Sequence, residues 1–277
     1  MCRWVGYFGN PIRLEELLYE PPHSLIEQSR ASGDEHLANA DGFGVGWYGH
    51  REQPGLFRSV SPAWGDRNFR DLCAQVTSRL FIAHVRAATG TAVQETNCHP
   101  FRCGPWIFVH NGFIADFHRL RRDLMLAIDP ALFSEVEGTT DSEVLFHLAL
   151  TFGLADEPLE ALERMAGFVE HVGHEAGVDE PLQMTLGVSD GERLYAVRYA
   201  SGKQVPNTLW VTSDPSSLQQ LYPDDDRLKL FGEEARAVVS EPLSDLPGLW
   251  HEIAPASAVV VQEGPDLERP FVPQWSN

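Results

Sequence analysis

The chain has 277 residues, 43% hydrophobic and 22% charged, with a formal net charge of −19 at pH 7. Length and balance of this kind allow a sizeable buried core and exclude wholesale disorder. So acidic a surface repels phosphate backbones, so neither nucleic acid nor an anionic membrane is expected as a partner.

Alternating residues at 2–8 predict a strand, after which Asn10-Pro11 offers an N-cap and a first-turn proline for a short helix over 12–18. Strands are predicted at 43–48 and 80–86 with a helix around 69–77 between them, and again at 106–110. Thr140 and Glu143 fit a capping box for a helix starting near Asp141. A second helix is predicted over 158–175, where Leu159, Leu162, Met165, Ala166 and Val169 follow helical spacing. Asp190-Gly191 between apolar runs at 183–189 and 193–199 signals a hairpin. Further strands are expected at 208–212, 237–240 and 258–262. Strands thus cluster toward both ends with helices between, which predicts an α+β fold of packed antiparallel sheets with helical layers rather than a βαβ repeat. No repeat or long linker divides the chain, so one domain over 1–277 is expected.

The cysteines are Cys2, Cys73, Cys98 and Cys103, too few for a disulfide framework in a chain of this length. Reduced thiols, and with them a cytoplasmic location, are expected. No apolar run approaches the roughly 20 residues of a membrane span, and the amino terminus lacks the basic and apolar regions of a secretory signal.

Four polar stretches stand where strands should end: Met1-Cys2-Arg3, HVRAATGT at 84–91, HNG at 110–112 and TTDSE at 139–143. Cys2 is either an incidental small hydrophobe or a nucleophile. Removal of Met1 would give it its own α-amine, with a pKa of about 7.7–8.0, as the base for its thiol. Arg86 can grip a carboxylate through two parallel hydrogen bonds or serve in a surface ion pair. Thr89, Gly90 and Thr91 would let the following loop close over a ligand. His84 is either a base or a satisfied core residue. Asn111-Gly112 is by itself the leading two-residue hairpin turn. Its other reading is an oxyanion hole of side-chain amide and backbone N–H. Asp141, at a helix start, can bind an ammonium; paired with Arg86 it describes an amino-acid pocket. GFGVG at 42–46 runs on as a strand, which argues against a dinucleotide loop. Cys98, His99 and Cys103 lack the partners of a zinc site, so no metal or cofactor is expected.

Together MCRWVGYFG, DGFGVGWY, HVRAATGT, TNCHPF, HNG and TTDSE resemble the class II glutamine amidotransferases, whose catalytic domain is an N-terminal-nucleophile hydrolase. The six stretches occur in the family's order over about the first 150 residues; VVSEPL at 238–243 and LWHEI at 249–253 look like the second half of the same domain. The resemblance implies a four-layer αββα sandwich of two antiparallel sheets. It also implies Cys2 as nucleophile, Arg86 for the substrate α-carboxylate, Asp141 for its α-ammonium, and Asn111 with Gly112 as the oxyanion hole. Arg3 stands where several members carry glycine. The start is closer to short stand-alone members, including those that remove glutamate in ergothioneine synthesis. A stand-alone hydrolase of glutamine or a γ-glutamyl compound is the leading expectation, with a small molecule as its partner. The alternatives are a glutaminase subunit feeding ammonia to a separate synthase, and a non-catalytic glutamine-binding protein that retains Met1.

Overall fold

Alternation at the amino terminus produces β1 (Arg3–Arg13), the spine of a seven-stranded sheet. The computed structural model describes residues 2–30, 38–88, 90–213, 219, 222, 224 and 228–275. After β1 come α1 (Glu15–Leu18), α2 (Leu25–Arg30), β2 (Phe43–Trp47), β3 (Gly55–Ser59), α3 (Arg67–Gln75) and β4 (Thr77–Val85). The central part holds β5 (Phe101–Cys103), β6 (Trp106–Ile114), α4 (Phe117–Leu126), α5 (Asp141–Thr151) and α6 (Pro158–Glu175). The chain then forms β7 (Leu182–Ser189), β8 (Leu194–Ala200), β9 (Trp210–Thr212), β10 (Arg236–Val239), β11 (Trp250–Glu252), β12 (Ser257–Val261) and β13 (Leu267–Pro270).

The first sheet has the order β11-β9-β10-β1-β4-β2-β3 and the second β13-β12-β8-β7-β6-β5. Neighbouring strands pair antiparallel in both, as at β1–β4 and β6–β7. Three buried cores give the layering. Val5, Tyr7 and Phe81 pack with Leu17, Ile26 and Phe69 of α1, α2 and α3. Trp4, Phe8, Leu80 and Ile82 of the first sheet meet Ile107, Val109 and Leu194 of the second. Phe108 and Met184 pack under Leu120, Phe146 and Leu162 of α4, α5 and α6. Each such large apolar side chain contributes about 1.5–3 kcal/mol by leaving water, and strands buried on both faces hold the two sheets face to face with helices outside. The αββα sandwich is therefore as expected. Among the described residues no helix is long and apolar enough to cross a membrane.

Two sequence expectations fail here. Asn10-Pro11 does not start a helix: both residues lie within β1, where the pairing with β4 shifts register between Phe8 and Ile12. A proline is tolerated where the ladder is interrupted, because no inter-strand N–H is required of it. The helix that follows covers only Glu15–Leu18 and has no side-chain cap. Second, Asn111-Gly112 is not a hairpin turn. It lies inside β6, with Asn111 opposite Thr185 and Gly112 opposite Met184. The Asp190-Gly191 hairpin does form, with Gly191 at φ 95° and Asp190 Oδ1 accepting from the N–H of Glu192 and Arg193, both at 2.8 Å.

Candidate functional site

Strand alternation gathers the predicted residues at one end of the gap between the sheets. On β1, Trp4 and Phe8 face the gap while Val5 and Tyr7 face the helices, so Cys2 continues the gap-facing row. On β4 the row of Leu80 and Ile82 continues through His84 to Arg86. Across the gap, Ile107 and Val109 of β6 are followed by Asn111.

Cys2 is half-buried, and its Sγ contacts the end of β4. The sulfur lies 3.5 Å from the Ala87 carbonyl oxygen and 3.4 Å from the Ala87 nitrogen. Burial pushes the thiol above its ordinary range; the Ala87 backbone and Arg86 pull it down, and Asp141 raises it further. A thiol held in this way is protonated at neutral pH and attacks only with a base beside it.

Arg86 is 3% exposed and forms no ion pair among the described residues, which overturns the surface ion-pair alternative. Its Nη2 donates to Thr91 Oγ1 at 2.6 Å and to the Ala92 carbonyl at 3.2 Å, and its Nη1 to the Asp41 carbonyl at 3.3 Å. A buried guanidinium without a carboxylate is costly, and an anionic ligand relieves that cost. Asp41 fixes the segment: its Oδ2 accepts from Ala88 N–H at 2.8 Å, and backbone bonds join Asp41 to Arg86 and Arg86 to Gly42. Thr89 lies outside the described residues.

The edges of β6 show what Asn111 and Gly112 can do. β5 pairs with β6 only as far as Phe108, so beyond it one edge of β6 is open. Ala115 N–H donates to Pro181 on the β7 side, whereas Ile114 N–H donates at 2.8 Å to Asp141 Oδ2 on the open side. Backbone N–H groups alternate along a strand; that of Gly112 therefore points to the open edge, beside Asp141. A Cβ at Gly112 would collide with the Gln183 carbonyl and come within 2.5 Å of His110 Nε2, so only glycine fits. The Asn111 side chain is 6% exposed, and its Oδ1 accepts from Asn207 Nδ2 at 3.4 Å. Asn111 Nδ2 has no hydrogen-bond partner among the described residues, which leaves it as a donor. A side-chain amide and a backbone N–H on one strand are the parts of an oxyanion hole.

Asp141 opens α5, where Thr140 Oγ1 caps Glu143 N–H at 3.2 Å. The predicted capping box is half reciprocal: the Glu143 carboxylate accepts from the N–H of Glu137 and Gly138 instead of returning to Thr140. Asp141 Oδ1 accepts from Ser142 N–H at 2.8 Å. Asn97 of TNCHPF joins the two grips. Its Nδ2 donates to the Ala92 carbonyl and Thr139 Oγ1, and its Oδ1 accepts from Thr139 N–H. His84 is buried with its ring 4.2 Å from that of His99, and burial depresses its pKa to about 3. A ring of so low a pKa is a weak base, which places His84 in the interior; it is not a satisfied core residue, since neither ring nitrogen has a hydrogen-bond partner among the described residues.

Sequence reasoning missed Asn207, Thr185 and Ser240. Trp4 Nε1 donates to Thr185 Oγ1 at 3.2 Å, and Trp4 N–H donates to Ser240 Oγ at 3.0 Å. No local signal marks Asn207 and Thr185, whereas Ser240 lies in the quoted stretch VVSEPL; each acts through a contact distant in sequence. Asp41 and Asn97 lie in quoted motifs, so their polar residues inside otherwise apolar stretches were the available signal.

A family model described as glutamine amidotransferases class-II matches residues 25–273. The chain is 30% identical to the probable glutamine amidotransferase DUG3 of Saccharomyces cerevisiae, covering 99% of this chain and 85% of that one. It is 27% identical to the gamma-glutamyl-hercynylcysteine sulfoxide hydrolase of Mycolicibacterium smegmatis, covering 95% and 96% respectively. A glutamine aminotransferase class-II domain protein from Silicibacter pomeroyi superposes with a TM-score of 0.75 at 32% identity, over 98% of this chain and 99% of that one. The glutamine phosphoribosylpyrophosphate amidotransferase of Bacillus subtilis shares the fold alone, with a TM-score of 0.65 at 16% identity over 97% of this chain and 49% of that one.

Proposed function

Because the chain belongs to the class II glutamine amidotransferases, we propose that it is a stand-alone amidohydrolase cleaving the γ-amide of glutamine or a γ-glutamyl compound through a thioester on Cys2. Residues 1–277 act as a single amidotransferase domain in this reading. One observation carries it: the Cys2 sulfur lies 3.4 Å from the nitrogen of Ala87, the residue that follows the buried Arg86, so the nucleophile sits beside an anion grip. Arg86 takes the substrate α-carboxylate and Asp141 its α-ammonium, which leaves the γ-carbonyl at the sulfur.

Removal of Met1 frees the Cys2 α-amine, which takes the thiol proton as sulfur attacks the γ-carbonyl carbon. Asn111 Nδ2 and Gly112 N–H hold the oxygen that becomes negative. The amine then passes the proton to the leaving nitrogen, and the C–N bond breaks to give ammonia or an amine. Water attacks the thioester with the same amine as base, releasing the γ-carboxylate of glutamate and restoring the thiol. No cofactor is needed. Similarity to the Mycolicibacterium enzyme supports a γ-glutamyl substrate larger than glutamine, and four free cysteines suit a reducing cytoplasm.

The test is glutamate release from glutamine and from γ-glutamyl-p-nitroanilide, with Cys2→Ala as control. Turnover by the wild type and none by Cys2→Ala is expected; equal rates would contradict the mechanism.

A further inference from the structure

His110 is the buried titratable group nearest this chemistry to which the mechanism gives no task. It lies on β6 beside Asn111, but alternation sends its ring to the opposite face, toward α5. Its Nε2 is 3.4 Å from the Gln183 carbonyl oxygen and its Nδ1 is 2.9 Å from Ser142 Oγ. A carbonyl oxygen only accepts, so Nε2 carries the hydrogen. Burial holds the ring below the ordinary histidine range. In the neutral ring Nδ1 is then an acceptor, and the Ser142 hydroxyl donates to it.

Ser142 has one hydroxyl proton and two acceptors within reach. Besides His110 Nδ1 at 2.9 Å, Asp141 Oδ1 lies 3.3 Å from Ser142 Oγ. We infer that His110 is a positioning residue for the ammonium site: by accepting the Ser142 hydroxyl proton it keeps that proton off Asp141 and leaves Oδ1 to the substrate α-ammonium. Asp141 then receives only the two backbone N–H bonds, from Ser142 on Oδ1 and Ile114 on Oδ2, both at 2.8 Å. These orient the carboxylate and leave its other lone pairs to a cation. Gly112 serves the same arrangement, because a Cβ there would crowd His110 Nε2 off the Gln183 carbonyl. The inference rests on the assignment of Asp141 to the α-ammonium, and the test separates the two.

Two amides divide the functions of the ring. His110→Gln reaches toward the Gln183 carbonyl but offers Ser142 no acceptor at the Nδ1 position; His110→Asn places its Oδ1 there. Steady-state kinetics are read on γ-glutamyl-p-nitroanilide and on glutaryl-p-nitroanilide, which lacks the α-amine. His110→Gln is expected to raise KM for the γ-glutamyl substrate roughly fivefold, the size of one net hydrogen bond. Its KM for the glutaryl substrate changes by less than about twofold, and kcat falls less than KM rises. His110→Asn loses less than His110→Gln, and Ser142→Ala added to His110→Gln recovers most of the loss, since no hydroxyl remains to compete. Asp141→Asn is the control for the underlying assignment and should also damage the γ-glutamyl substrate selectively. Equal damage to both substrates by Asp141→Asn would remove the ammonium site itself. A selective effect of Asp141→Asn, with His110→Gln unselective or not recovered by Ser142→Ala, would overturn the role of His110 alone.

Discussion

Trp4 Nε1 donates to Thr185 Oγ1 across the gap between the sheets at 3.2 Å, and Thr185 Oγ1 in turn lies 3.5 Å from the Asn111 carbonyl oxygen. This tether joins the strand that carries Cys2 to the strand that carries Asn111, two residues from the first and directly opposite the second. Thr185→Val keeps the shape and removes the acceptor, leaving the indole N–H buried without a partner. We expect a loss of about 1–3 kcal/mol in stability, seen by denaturant unfolding, together with a lower kcat. Full kcat in a destabilised variant would mean that the tether serves the fold alone.

Arg86 is buried with only neutral oxygen partners among the described residues. Arg86→Lys replaces a planar fork by a point charge that cannot bond both carboxylate oxygens in the same geometry. KM should rise roughly tenfold or more, in line with hydrogen bonds to charged groups, while kcat changes less, because the grip is present before and during reaction. Glutamate should raise the melting temperature of the wild type and not that of Arg86→Lys. An unchanged KM would remove Arg86 from the substrate.

Asn207 donates to Asn111 Oδ1 and so leaves the Nδ2 end of the Asn111 amide as its donor. Asn111→Ala should lower kcat by about 10²–10³, the usual size for an oxyanion donor. Asn207→Ala should lower kcat by a smaller factor with KM little changed, because Asn111 can then rotate. Equal kcat for wild type and Asn111→Ala would leave Asn111 a structural residue.

The architecture was legible because strand-like apolar runs mark β1, β4, β6 and β7, and one-sided apolar spacing marks α6. Antiparallel sheets with helical layers follow from that grouping of strands and helices; the four-layer αββα order is what the family resemblance implied. Short elements such as β5 and β13 were not legible, since runs of three or four residues carry no periodicity. Asn10-Pro11 misled because a bulge and a helix start use the same residue types. At Asn111-Gly112, where a turn and an oxyanion hole were both open, the local turn preference was overridden by pairing with β7, and glycine is there for the Gln183 carbonyl and His110. Cys2, Arg86, Asn111 and Asp141 stand in recognisable motifs. Asn207 and Thr185 do not, while Ser240 lies within VVSEPL, and each contributes through a partner far along the chain.

His84 and His99 are buried neutral, with burial lowering His84 to about 3 and His99 well below the ordinary range. In the unfolded chain both titrate near 6.5. Between about pH 6.5 and 3 the unfolded state therefore binds more protons, and stability falls as pH falls, by up to ~1.4 kcal/mol per pH unit for each ring. The contribution is full above pH 6.5. His84→Gln should narrow its stability gap to wild type as pH falls from 6.5 to 5, measured by denaturant unfolding. A gap independent of pH would contradict the buried neutral state.

Cys2, freed of Met1, is the proposed nucleophile. Its most direct test is mass spectrometry of the amino-terminal peptide after labelling with a diazoketone analogue of glutamine. The expected result is a peptide that begins at Cys2 and carries one analogue on its sulfur, with no label on Cys2→Ala. A label on another residue, or labelled chains that still begin with Met1, would contradict it.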